Sequence, residues 1–122
     1  MSHPIVVIGL VVLGSLSVTG QALAHAHLRD ANPADKATVT SAPTALTLRF
    51  TEGLNLKFSG IRLTGPQKVT VKTGDAALSD HDMSLSVPVV DTLQPGTYTV
   101  EWHTLSTDGH KTTGSYSFTV KP

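Results

Sequence analysis

The stretch Thr97–Val120, TYTVEWHTLSTDGHKTTGSYSFTV, puts Tyr98, Val100 and Trp102 at every second position, and then Tyr116, Phe118 and Val120. A period of two sends alternate side chains to opposite faces, so each run reads as a half-buried β-strand. Between them STDGHKT (106–112) holds the Asp-Gly pair favoured in tight turns. Two long strands, about Thr97–Leu105 and Thr113–Val120, therefore form a hairpin or flank a loop between sheets. Either way that loop is exposed at its end.

The same rhythm extends outward. Leu46, Leu48 and Phe50 alternate with Thr47, Arg49 and Thr51, and shorter versions recur at Ile61/Leu63, Val69/Val71 and Leu85/Val87/Val89. Turn formers separate the runs: NPAD (32–35), SAP (41–43), TGPQ (64–67), TGD (73–75) and QPG (94–96). No long helical stripe follows residue 25, and EGLNLKF (52–58) has room for a single turn. Six or seven short strands predict an all-β domain, an antiparallel Greek-key sandwich or small barrel of the immunoglobulin-like kind. Pro88 lacks a backbone N–H, which predicts an edge strand or a bulge at that point.

The first residues read differently. Ile5–Leu16 is an almost unbroken apolar run, shorter than the roughly 20 residues a membrane-spanning helix needs. Ala22-Leu23-Ala24 then sets small residues at the alternate positions that a signal peptidase accepts. The segment before Ile5 has no Lys or Arg, which leaves a retained anchor as the competing reading. The expectation is a secretory signal over 1–24, cut after Ala24, and one β-domain over 25–122. All nine basic and nine acidic residues fall in that domain. A formal charge of zero argues against nucleic acid or an anionic membrane surface as partner. There is no cysteine, so neither a disulfide nor a thiolate metal site is available.

Cleavage after Ala24 would make His25 the first residue, in QALAHAHL (21–28). An α-amine and the Nδ1 of the same histidine can chelate one metal ion in a six-membered ring. His110 and Asp108 of the Asp-Gly-His turn would complete three nitrogens and an oxygen, a set suited to tetragonal Cu(II). The ordinary alternative is that Asp108-Gly109-His110 is only a turn. His27 offers a rival mode: as third residue it could wrap Cu(II) with the amine and two deprotonated backbone amides. That mode needs a loose N-terminus, whereas Ala26 and Leu28 read as the inward face of a first strand. His81, in the acidic loop SDHD, and His103, next to Trp102, read as surface side chains; Glu52 reads as a solvated carboxylate. Nucleophile elbows and glycine-rich phosphate loops are missing from the sequence.

Three blocks together resemble the CopC family of periplasmic copper-binding proteins: HAHLRDANPADKATVTSAP (25–43), LTLRFTEGL (46–54) and LQPGTYTVEWHTLSTDGHKTTGSYSFTV (93–120). The resemblance implies a seven-stranded Greek-key β-domain that binds one Cu(II) through His25, Asp108 and His110, with Glu52 as a further ligand or supporting group. It also implies a periplasmic protein with an inner-membrane copper-transport protein (CopD-like) as partner; the cut chain is expected to be a monomer without stable membrane insertion. The chain departs from part of the family in lacking a methionine-rich stretch. Met83 is the one methionine after the signal, so no separate Cu(I) site is expected. Two other classes compete with copper binding: a copper oxidoreductase built on the N-terminal histidine, and a metal-free structural β-domain. The first needs an aromatic-bearing face for a polymer, yet the aromatics alternate inward; the second gives no reason for histidine at the cut.

Overall fold

The computed structural model describes residues 26–122; the expected signal segment and His25 lie outside the described residues. Among the described residues nine strands form: β1 (Leu28–Asn32), β2 (Thr38–Val39), β3 (Ala45–Phe50), β4 (Gly60–Thr64), β5 (Thr70–Val71), β6 (Ala77–Ser79), β7 (Ser84–Pro88), β8 (Gly96–Leu105) and β9 (Lys111–Val120). They make two sheets, ordered β1-β3-β7-β6 and β2-β9-β8-β4-β5. The all-β sandwich is as expected. The count exceeds seven because β2 and β5 are two-residue pieces, and β2 joins β9 in parallel while every other strand pair is antiparallel.

Alternation explains the core. Leu46, Leu48 and Phe50 of β3 and Leu85 and Val87 of β7 face Leu63, Tyr98, Val100, Tyr116, Phe118 and Val120 of the other sheet, all buried. Residues between them point outward to solvent. Tyr98 pairs with Phe118 across β8 and β9, and their rings stack at 5.6 Å. The Tyr98 hydroxyl donates to the carbonyl of Gln94 at 2.7 Å, so that ring is buried without an unmet polar group. Trp102 is half-buried and meets Phe50 edge-on at 5.0 Å. The long stretch is a hairpin, paired from Gly96↔Val120 to Leu105↔Lys111.

Two local expectations are corrected. Pro88 lies on an interior strand: β7 runs between β3 and β6. It is the last residue of β7, beyond the reach of β6, whose pairing ends at Ser86. Its carbonyl still accepts from the Gly74 N–H at 2.8 Å, so the missing donor breaks no ladder. Val69 is 62% exposed. Its carbonyl accepts from Gly65 to close a turn, and only Val71 reaches the core. The EGLNLKF segment makes one 3-10 turn, Leu56–Phe58, capped by the Asn55 side chain accepting from the Lys57 N–H.

Candidate metal-binding end of the sandwich

The loop closing the β8–β9 hairpin is built by Ser106, which is buried. Its N–H donates to the His110 carbonyl at 2.9 Å, and its own carbonyl accepts from Gly109 at 2.9 Å. Its Oγ accepts from the His110 N–H at 3.2 Å and also donates to Asp108 Oδ1. Gly109 has φ +93 with open space beyond it, a backbone that glycine adopts without strain. One serine thus holds the turn that sets Asp108 beside His110.

Asp108 Oδ1 and His110 Nδ1 stand 3.2 Å apart, both side chains roughly half exposed. The Ser106 hydroxyl, and after it His110, holds the Asp108 carboxyl below its ordinary pKa. An ionised carboxylate is therefore present at neutral pH.

Other segments converge on the same loop. Gly53 accepts from the Thr107 N–H at 2.9 Å, and Leu54 bridges Ser106. Thr51 takes the N–H of His27 on its Oγ1 and donates its own N–H to the His27 carbonyl, both at 2.9 Å. The carbonyl of Ala26 accepts from Thr112 Oγ1 at 2.9 Å. Ala26 is fully buried, as the inward reading of that position requires. The N-terminal strand and the hairpin loop, opposite ends of the chain, thus meet at one end of the sandwich.

Of the expected ligands, Asp108 and His110 come together, while His25 lies outside the described residues. Among the described residues no three of His, Cys, Asp and Glu gather as a metal site. Glu52 is half-buried between the His27 segment and Thr107, without a hydrogen bond or ion pair from its carboxylate among the described residues. His27 is exposed, but its backbone is held at both N–H and carbonyl. His81 is on the surface, 90% exposed with Nδ1 3.9 Å from Asp80 Oδ1, and the exposed His103 ring covers Gly60. Both fit the surface reading. Ser106, Thr51 and Thr112 were not singled out from sequence. The hydroxyls of Thr51 and Thr112 meet partners 24 and 86 residues away, which no local pattern reveals, whereas Ser106 meets Asp108 and His110 within its own turn.

Among the described residues no helix is long and apolar enough to cross a membrane. The family model of the CopC domain matches residues 28–121. Protein YobA of Escherichia coli K12 is 50% identical over 113 residues, covering 92% of this chain and 91% of that protein. The crystal structure of CopC from Methylosinus trichosporium OB3b is 32% identical with a TM-score of 0.73, covering 80% of this chain and 95% of that one. That of PcoC, a methionine-rich copper resistance protein from Escherichia coli, is 34% identical with a TM-score of 0.72, covering 80% and 99%. A domain match over nearly all of the described residues, joined to the same two-sheet fold, decides the assignment: the chain belongs to the CopC family.

Proposed function

We propose that this chain is secreted to the periplasm, cut after Ala24, and holds one Cu(II) for copper homeostasis or resistance. His25 supplies its amine and imidazole, His110 its ring nitrogen and Asp108 a carboxylate oxygen; Glu52 supports the set. The observation that carries this reading is the hydrogen bond from Thr112 to Ala26. It ties the residue bonded to His25 to the strand that begins just after His110. The donor set is hard and nitrogen-rich, which suits Cu(II), and with Met83 as the one methionine after Ala24 there is no soft-ligand cluster for Cu(I). Delivery of the ion to an inner-membrane copper-transport protein is the matching downstream step.

Two observations favour this reading over its rivals. The His27 mode requires a deprotonated His27 amide, and that N–H is already donated to Thr51. A catalytic face for a polymer would need exposed rings, yet among the described residues Phe58 is the one exposed Phe, Tyr or Trp, Trp102 being half-buried. The test is Cu(II) titration with electron paramagnetic resonance on the processed chain and on a version bearing one extra N-terminal residue. The extension turns the His25 amine into an amide and should abolish tight binding. Equal affinity in the two would sink the proposal.

A further inference from the structure

Thr104 on β8 and Thr112 on β9 are cross-strand partners whose hydroxyl oxygens lie 2.7 Å apart. Thr112 donates onward to the Ala26 carbonyl. A hydroxyl has one proton to give. Thr112 spends its proton on Ala26, so Thr104 must donate to Thr112, and the relay has a fixed direction. Thr104 is 2% exposed and Ala26 is fully buried, so water does not compete at its base. The relay ends on the Ala26 carbonyl oxygen, three bonds from the Ala26 nitrogen, the atom that carries residue 25. Thr112 also sits two residues after His110, at the start of the strand that the loop enters.

We infer that Thr112 is a positioning residue for copper: its hydroxyl sets the N-terminal residue in register with Asp108 and His110. The inference rests on the reading above that His25 is a ligand. A chelate that joins two ends of a chain is sensitive to their offset, because each donor must meet the ion at a fixed distance and angle. Supporting hydrogen bonds around metal ligands are commonly worth about 10–100-fold in affinity.

The experiment compares processed wild type with Thr112→Val, Thr112→Ser and Thr119→Val. Valine keeps the branched shape that suits a strand and removes only the hydroxyl. Thr119 pairs its hydroxyl with Thr97 at 3.1 Å at the far end of the same hairpin, and serves as the control for a lost threonine pair. Thr112→Val should weaken Cu(II) binding about 10–100-fold and shift the resonance parameters of the bound ion. Thr112→Ser should restore both, and Thr119→Val should leave both unchanged. Should the valine variant melt below the assay temperature, Thr112→Ala takes its place with the same expectation. Wild-type affinity and spectrum in a folded variant lacking the Thr112 hydroxyl would overturn the inference. If the one-residue extension abolishes binding while that variant binds normally, this inference alone falls. If the extension changes nothing, the reading beneath it falls too.

Discussion

Trp102 and Gly114 face each other across β8 and β9, and the indole occupies the space a side chain at 114 would need. A Cβ built there would lie 2.4 Å from the indole Cζ2, well inside contact distance. The glycine is therefore what lets the single tryptophan lie over its neighbouring strand and reach Phe50.

Gly114→Ala should displace that indole. Overpacking of this kind costs about 1–3 kcal/mol, and in a domain near 100 residues each kcal/mol is worth about 4–8 °C. Because Trp102 is the only tryptophan, its fluorescence reports the move directly. An alanine variant with an unshifted emission maximum and melting point would show that the strand gives way instead.

Tyr116 is buried, and its hydroxyl has no hydrogen-bond partner among the described residues. Burial, then the charge of Asp35, pushes its pKa up to about 12 from the ordinary 10. A raised folded pKa means that the neutral phenol is favoured by folding. That contribution is full below pH 10 and is lost as pH rises towards 12. Tyr116→Phe removes both the unmet hydroxyl and this titration. It should melt at or slightly above wild type at pH 7, by up to about 1 kcal/mol, and lose less stability than wild type between pH 10 and 12. A large loss at neutral pH would reveal a partner for the hydroxyl.

The contrast between these two residues shows how much was legible beforehand. Tyr98, Val100, Tyr116, Phe118 and Val120 are buried as period two requires, because alternation is a property of each strand alone. The Asp108–His110 pair was readable for the same reason: the Asp-Gly turn is local chemistry. Pro88 marks neither the edge nor the bulge its chemistry suggests, because strand order is non-local: β6, which covers β7, comes from the preceding chain and stops short of the proline. The role of Thr112 is hidden in the same way. Threonine on a strand looks alike whether its hydroxyl meets water or a carbonyl from the other terminus.

A mutant series separates the two copper modes. His110→Ala and Asp108→Ala should each weaken Cu(II) binding by more than the about 10–100-fold typical of a lost supporting contact. His27→Ala should stay close to wild type, since the substitution keeps the backbone N–H and carbonyl that His27 shares with Thr51. Isothermal titration of the three processed variants checks this. The reverse order would assign the ion to the N-terminal peptide.

Acid should release the metal. A terminal amine with a pKa of about 7.7–8.0 costs about 1 kcal/mol to deprotonate at pH 7 and about 4 at pH 5, and imidazole ligands must also give up their protons to bind. Affinity should therefore drop by several decades between those values. Asp108 adds little to that drop. Its lowered pKa, set first by Ser106 and then by His110, keeps it ionised above about pH 3.9. Whatever stability it gives the loop is present above that value and lost only as pH falls through the lowered one. A flat affinity profile from pH 7 to 5 would exclude the amine and histidines as ligands.

Copper should also hold the fold together. The segment leading into β1 and the start of β9 already meet through Ala26 and Thr112, and a metal shared by His25, Asp108 and His110 would add a second clasp there. A ligand that binds only the folded state stabilises it by RT ln(1 + [L]/Kd), about 4 kcal/mol at a thousandfold excess over Kd. At about 4–8 °C per kcal/mol, free Cu(II) in that excess should raise the melting point by well over ten degrees at neutral pH. The gain should vanish with the extra N-terminal residue and shrink at pH 5. Thr112→Val should show part of it, because the clasp then closes on a strand less firmly held. Scanning calorimetry with and without Cu(II) measures each case. Tightly bound copper with an unchanged melting curve would mean that the ion does not join the two ends, and its ligands would then lie within one of them.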